Sequence, residues 1–309
     1  MHQPLIILSP PRSFSSVVST MIGQHPQLYA FPELSLFAFS DLQNFCPFDK
    51  KEKLSRDLPG LIRTIAQEHH GQQTTQTNLK AIEWLRERRD WSTEKIFNYL
   101  LDLISPRIGV EKTPITSRRM QNLERAYAMF PNAHFLHLTR HPISAKKSIE
   151  ELSTRKNLKH YKKTGTWQDN KYGINGLLVW LHMHNNIVKF TKTLPVGQTM
   201  RIKGENILSQ PDVYLPQIAQ WLGLRTDTEA IEAMKHPENS PYAYVGASPA
   251  HGGNDLKFMR NPKLRRGTVK EPNLQEFWQS NLSQQFEEAN FNSELQENIN
   301  NLAFALGYQ

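Results

Sequence analysis

The sequence predicts an α/β fold in which about 4–5 mainly parallel strands form a central sheet surrounded by many helices. Two observations lead to this prediction. Short apolar runs of strand length recur along the 309 residues, and longer stretches with helical periodicity separate them. Because parallel neighbouring strands need a crossover connection, this alternation indicates right-handed βαβ units. Residues 1–309 are expected to form a single domain.

Each predicted strand is a short run such as PLIIL or HFLHLT, in which apolar residues dominate. The weakest of these runs is IGVEK. Strands are expected at residues 4–8, 108–112, 134–139 and 199–203, and helices at residues 15–24, 94–104, 117–129, 142–155 and 173–193.

Two segments depart from this alternation. Residues 45–104 are charged and mostly helical, so they are expected to be an insertion on the substrate side of the fold. Residues 236–272 are rich in Pro, Gly and Asn and show little periodicity, which is typical of a functional loop that contacts ligands. Aromatic residues near these segments can line a pocket or belong to the core: Phe37, Phe39, Trp84, Tyr242 and Tyr244.

The composition favours an anionic ligand. The net charge is +8, a balance that suits nucleic acid, a membrane surface or a phosphorylated small molecule. Cys46 is the single cysteine, so a disulfide within the chain is excluded, and we expect a buried apolar residue rather than a nucleophile. The sequence shows neither a signal peptide nor an apolar run of about 18 residues, and we expect a cytoplasmic protein without a membrane span.

Residues 5–26, LIILSPPRSFSSVVSTMIGQHP, pass from an apolar run through a polar loop into a helical pattern. Ligands of open α/β sheets bind beyond the carboxyl ends of the strands, where the start of a helix presents free N–H groups to an anion. Arg12 would add charge and planar donors, and Ser13, Ser15 and Ser16 would add hydroxyls. An ordinary connection capped by serine is the alternative. The glycines and lysine of a Walker A loop are missing, which argues against a magnesium-dependent NTPase.

A second strand–loop–helix element lies in HFLHLTRHPISAKKSIEE. Arg140 ends the strand, and Ser148 would lie about two turns into the helix, which can bring it back beside the loop. Taken singly, Arg140 could form a surface ion pair and Ser148 could occupy a solvated helix position. Together they lie in register with the first loop, and this combination is more informative than either residue alone.

These elements resemble those of the PAPS-dependent sulfotransferase family. The family's 5′-phosphosulfate loop is commonly written P-[KR]-S-G-[TS]-[TS], and this chain matches it except at Phe14, which stands where the family has glycine. In the family, a strand that ends in Arg and is followed by Ser at the spacing of Arg140 and Ser148 binds the 3′-phosphate of PAPS. The residues that match the first pattern are Pro11, Arg12, Ser13, Ser15 and Ser16.

Two further segments support the resemblance. GVEKTP places Lys112 after a predicted strand, where the family carries a lysine that faces the transferring sulfuryl group. The alternative is a solvated lysine. KLRRG places Arg265 and Arg266 before Gly267, and it is similar to the segment that closes over the 3′-phosphate in cytosolic sulfotransferases. Either arginine could make that contact.

The resemblance implies a P-loop-like, three-layer fold that binds PAPS and moves its sulfuryl group in line to a hydroxyl or amine of a small-molecule or natural-product acceptor. PAP would be the product, and no metal would be required. Charge that builds on the leaving oxygen needs fixed donors, and Arg12, Lys112 and Ser13 can supply them.

A hydroxyl acceptor also needs a base. Glu33, in FPELSLF, stands where the family has its carboxylate, and apolar surroundings would make such a carboxylate a better base at neutral pH. Alternatively, Glu33 caps a helix. His251 is the second candidate, as a base or a substrate contact.

Three other functions are weighed against this one. A P-loop-like nucleotide kinase or NTPase would need a Walker B aspartate, and HFLHLT ends in Arg140 instead. A nucleic-acid binder fits the charge, but the basic residues are scattered among acidic ones and no zinc-finger or RNP sequence is present. A catalytically inactive PAP-binding protein is the third possibility.

Overall fold

The computed structural model of the chain describes residues 3–45, 57–152, 176–265, 267–285 and 293–309. Its described strands are β1 (Leu5–Leu8), β2 (Leu28–Ala30), β3 (Ile108–Glu111), β4 (His134–Thr139) and β5 (Thr199–Lys203). They form one sheet in the order β2–β3–β1–β4–β5, and every pairing is parallel. This sheet confirms the predicted α/β class. Cys46 lies outside the described residues.

The strand bounds agree closely with the sequence prediction, except that β2 was not expected. Its three residues, LYA, are too few to give a strand pattern. The described helices are α1 (Ser15–Ile22), α2 (Leu42–Phe45), α3 (Pro59–His70), α4 (Thr75–Glu87), α5 (Thr93–Leu103), α6 (Met120–Met129), α7 (142–152), α8 (Gly176–Thr191), α9 (Gly204–Ser209), α10 (Pro211–Trp221), α11 (Thr228–Ala233), α12 (Leu256–Arg260), α13 (Leu274–Gln285) and α14 (Ser293–Ala305).

Both faces of the sheet are covered. Along β1, Ile6 and Leu8 belong to one buried cluster, while Leu5 and Ile7 belong to another. Since successive side chains of a strand point to opposite faces, a four-residue strand that is apolar throughout requires packing on both sides. No helix among the described residues combines the length and apolar character that crossing a membrane requires.

The two segments that interrupt the alternation differ in structure. Between β2 and β3, the described part of the chain forms helices α2 to α5. The described part of the 236–272 segment is less irregular than expected, because it contains a 3₁₀ turn (Pro237–Asn239) and α12. Asp255 begins α12, and its carboxylate accepts hydrogen bonds from the N–H groups of Lys257 and Phe258.

A buried histidine pair couples the sheet to α8. His137 on β4 and His184 on α8 are both buried, with Nε2 of His137 lying 2.8 Å from Nδ1 of His184. Burial lowers the pKa of His137 to about 3 and holds the pKa of His184 well below its ordinary value, and Arg201 adds repulsion to both. Below about pH 6.5 the unfolded chain therefore binds more protons than the folded chain, and stability is lost as the pH falls.

We expect the free energy of unfolding to fall by up to about 1.4 kcal/mol per pH unit for each of these histidines as the pH drops from about 6.5 towards 4. Urea denaturation across this range measures the slope. The double variant His137→Gln/His184→Gln should flatten this slope, whereas His70→Gln, at an exposed histidine, should leave the slope unchanged. A double variant with the parental slope would contradict this account.

Candidate functional site

The loop after β1 leads directly into the unsatisfied amide end of α1. No side chain among the described residues caps this helix, whose first backbone bond runs from the N–H of Val18 to the carbonyl of Phe14 (3.0 Å). The first N–H groups of a helix have no partners within it, and they attract anions. The structure places Ser13, Ser15 and Ser16 at this end of α1, and all three are buried.

Phe14, which stands where the family pattern has glycine, has a backbone conformation that glycine adopts most readily. Its φ is 61°, and that of Arg12 is 67°, so both residues lie in the left-handed region. This region costs a residue other than glycine about 1 kcal/mol. The loop therefore turns through two left-handed residues, neither of which is glycine.

The two sequence motifs meet at Arg12. Its Nε donates to Oγ of Ser148 on α7 (3.0 Å), and its carbonyl oxygen accepts a hydrogen bond from Nη1 of Arg140 (2.5 Å). The Arg12 guanidinium also pairs with the carboxylate of Asp255. The loop after β1 and the loop after β4 therefore form one cationic site, because their strands are neighbours in the sheet.

Lys112 lies at the centre of this site. It follows β3, and its side chain is fully buried. Its Nζ donates to Oε1 of Glu33 (2.7 Å), Oγ of Ser16 (3.1 Å) and Oδ1 of Asn254 (3.2 Å). The solvated alternative for Lys112 is wrong, since its buried ammonium group joins α1, Glu33 and the 236–272 segment.

Glu33 is not enclosed in apolar surroundings. Its side chain is 34% exposed and forms an ion pair with Lys112. Its backbone N–H donates to the carbonyl of Gly253 (2.6 Å), and its carbonyl packs against Gly60, where a Cβ would lie 1.9 Å from the oxygen. Glu33 is thus held by its backbone while its carboxylate faces both Lys112 and solvent.

The strand that carries Lys112 also carries a second carboxyl group. Glu111 is fully buried, and burial raises its pKa to about 7. The hydroxyl of Thr113 donates to Glu111, and the hydroxyl oxygen of Thr113 accepts the N–H of Ser35 (3.2 Å). Glu111 therefore ties β3 to the segment that follows Glu33.

Arg63 holds the 236–272 segment against the insertion. It is buried on α3, and it donates to the carbonyls of Tyr244 (2.8 Å) and Gly252 (2.9 Å) and to the side chain of Gln73 (2.6 Å). Burial lowers its pKa to about 10, so it stays charged at neutral pH. Because Gly252 directly precedes the stretch that contacts Glu33, Lys112 and Arg12, Arg63 positions that stretch.

The remaining predicted residues lie at the edges of the site. His251 is exposed, and its Nδ1 donates to the carbonyl of Gly246 (2.9 Å). Among the described residues, no hydrogen bond joins His251 to Glu33 or Lys112. Arg265 and Gly267 are exposed, and Arg266 lies outside the described residues. Pro11 is half-buried in the first loop.

A family model described as the sulfotransferase family matches residues 4–228. This chain belongs to the sulfotransferase family. The match spans all five described strands and both phosphate motifs. A search of curated protein sequences finds no significant match.

Solved sulfotransferase structures share the fold along the whole chain. The sulfotransferase domain from the curacin biosynthetic pathway is 21% identical and has a TM-score of 0.74, with 100% of this chain and 99% of that domain covered. The sulfotransferase domain from the Synechococcus PCC 7002 olefin synthase is 21% identical and has a TM-score of 0.70, with 100% and 97% covered. The five-stranded sheet is therefore the P-loop-like sheet of the sulfotransferases.

Buried polar atoms at the two loops of this sulfotransferase suit phosphate oxygens. Oγ of Ser13 and Nε of Arg140 are buried and have no hydrogen-bond partner among the described residues. Leaving a buried donor without a partner costs about 1–3 kcal/mol. Both donors lie at the sites where the family pattern places the 5′- and 3′-phosphates, so the residues present fit such a ligand.

Several residues of the site could not be identified from the sequence. Arg63, Asn254 and Asp255 belong to no recognisable motif. Asn254 and Asp255 follow a Gly-Gly pair, which indicates a turn but no function.

The predicted aromatic residues differ in burial. Phe37 and Tyr242 belong to the core, whereas Tyr244 is 55% exposed. Trp84 and Phe39 pack at the edge of the core.

Proposed function

We propose that this sulfotransferase binds PAPS and transfers its sulfuryl group to a hydroxyl, or an amine, of a small-molecule acceptor, with PAP as the product. The observation that carries the proposal is the direct contact between the two phosphate motifs, from Arg12 Nε to Ser148 Oγ (3.0 Å), across 136 residues of sequence. A nucleotide with phosphate groups on both the 5′ and 3′ positions of its ribose would occupy two such adjacent cationic sites.

Each phosphate has its own set of donors. The 5′-phosphosulfate would lie at the start of α1, and the 3′-phosphate would lie at the end of β4, closed by the segment around Gly267. The proposed 5′ contacts come from Pro11, Arg12, Ser13, Phe14, Ser15, Ser16 and Lys112, and the proposed 3′ contacts come from Arg140, Ser148, Arg265, Arg266 and Gly267.

The chemistry follows from the arrangement around Lys112. The acceptor oxygen forms a bond to sulfur as the bond from sulfur to the 5′-phosphate oxygen breaks, and the electron pair stays on that oxygen. Lys112 and Arg12 would stabilise this charge, which is the role of preorganised donors in a site with little water. Glu33, 2.7 Å from Lys112 and partly open to solvent, would take the proton of the acceptor hydroxyl.

The acceptor reaches the site from the open side of Glu33. This side is bordered by the insertion, through Gly60, and by the 236–272 segment, through Gly253. The two solved neighbours are named as parts of a biosynthetic pathway and of an olefin synthase, which suits a natural-product hydroxyl.

Isothermal titration calorimetry tests the nucleotide directly. We expect PAP to bind with a Kd of about micromolar order in the presence of EDTA, since arginine and lysine supply the positive charge. ATP with Mg²⁺ should bind far more weakly. Binding of ATP–Mg²⁺ without binding of PAP would contradict the proposal and favour a P-loop-like nucleotide kinase.

The variant Glu33→Gln tests the base. We expect transfer from labelled PAPS to fall by about 10²–10⁴-fold, because the proton has no acceptor, while PAP affinity stays within a few-fold of the parental value. Glu94→Gln, at an exposed carboxylate of α5, is the control. Normal turnover by Glu33→Gln would place the base elsewhere, with His251 as the next residue to replace.

The parental chain tests a further alternative. If it binds PAP but transfers no sulfuryl group to any acceptor tried, an inactive PAP-binding protein is favoured.

Asp255 competes with the incoming phosphosulfate for Arg12. Asparagine caps a helix as well as aspartate does, so Asp255→Asn removes the charge and keeps the cap of α12. We expect PAP to bind about fivefold more tightly to this variant, in line with the loss of one partly buried ion pair. Asp227→Asn is the matched control, because Asp227 also caps a helix and pairs with an arginine, Arg225. Weaker PAP binding by Asp255→Asn would show instead that Asp255 orients Arg12 for the ligand.

A further inference from the structure

The guanidinium group of Arg140 lies on the ring of Phe14. The guanidinium carbon is 4.2 Å from the ring centroid, which is the geometry of a cation–π contact. The backbone of Arg140 is fixed as well, since its carbonyl accepts a hydrogen bond from Nε1 of Trp180 (2.8 Å). The side chain is therefore held between the ring of Phe14 and the carbonyl of Arg12.

The ring of Phe14 fits only because residue 204 is glycine. A Cβ on Gly204 would lie 2.7 Å from Cδ2 of Phe14 and 3.3 Å from its Cβ. Gly204 begins α9 directly after β5, and β5 pairs with β4, the strand that ends just before Arg140. The aromatic residue in the phosphate loop and the small residue at the start of α9 thus form a matched pair.

An aromatic face holds a guanidinium group without using its donors. Nη1 of Arg140 is bound to the carbonyl of Arg12, but Nε is buried and has no hydrogen-bond partner among the described residues. The ring attracts the charge through its π electrons and accepts no conventional hydrogen bond. The in-plane N–H groups of Arg140 that the carbonyl of Arg12 does not occupy, that of Nε among them, remain available to an anion.

We propose that Phe14 is a positioning residue that gives this sulfotransferase its preference for a nucleotide with a 3′-phosphate, by holding the guanidinium plane of Arg140. The inference rests on the proposed function, in which Arg140 binds the 3′-phosphate. Phe14 therefore does more than fill the place of a glycine: its backbone shapes the 5′ site, and its ring orients the 3′ site.

The affinity ratio between PAP and AMP, which lacks the 3′-phosphate, measures this effect. For Phe14→Leu we expect about a tenfold loss of PAP affinity and less than about a twofold change for AMP, because one cation–π contact is lost at the 3′ site only. Phe14→Tyr keeps the ring face and should retain the parental ratio. Phe304→Leu, at a ring that is 78% exposed on α14, is the control.

Gly204→Ala tests the role of the Phe14 ring without replacing Phe14. The added methyl group would displace the ring from Arg140. We expect the same selective loss of PAP affinity, with thermal unfolding showing that each variant is folded. A parental PAP-to-AMP ratio in both Phe14→Leu and Gly204→Ala would overturn the inference, as would an equal loss for both nucleotides. A parental chain that does not prefer PAP over AMP would instead overturn the proposed function.

Discussion

A buried ammonium group holds this site together. Lys112 is fully buried, and a charge withdrawn from water must be matched by polar partners or it destabilises the fold by several kcal/mol. Its partners come from three other segments: Glu33 after β2, Ser16 in α1 and Asn254 before α12. Four stretches that are distant in sequence are therefore fixed around one atom, beside the place where a sulfuryl group would be transferred.

The cationic loops around Lys112 are stabilised by contacts with each other and with Asp255. Arg12 bonds to Ser148 and pairs with Asp255, and Arg140 bonds to the carbonyl of Arg12 while lying on Phe14. Mutual repulsion of the two arginines is thereby offset by one carboxylate and by one aromatic face. Because Asp255 also caps α12, a phosphate that takes Arg12 from it changes the electrostatics at the start of that helix.

The sequence alone predicts the sheet and both loops, because each depends on local patterns. The apolar runs of β1, β4 and β5 and the residues around Arg12 and Arg140 are local signals, and the family match confirms the class that they indicate. The strand β2 cannot be predicted from the sequence, because three residues are too few to show the alternation of a strand. Arg63 and Asp255 cannot be predicted for a different reason, since their roles come from contacts that are distant in sequence. Arg63 donates to the carbonyl of Tyr244, 181 residues away. The N–H of Asp255 donates to Oγ of Ser16, 239 residues away.

The central claim is that one nucleotide spans the start of α1 and the end of β4, on either side of the contact between Arg12 and Ser148. A crystal structure of the chain grown with PAP tests this most directly. We expect the 5′-phosphate at the first turn of α1, within hydrogen-bond distance of Ser13, and the 3′-phosphate on Arg140, whose guanidinium still lies on Phe14. Phosphates bound elsewhere, with Arg12 and Arg140 contacting only the protein, would contradict it.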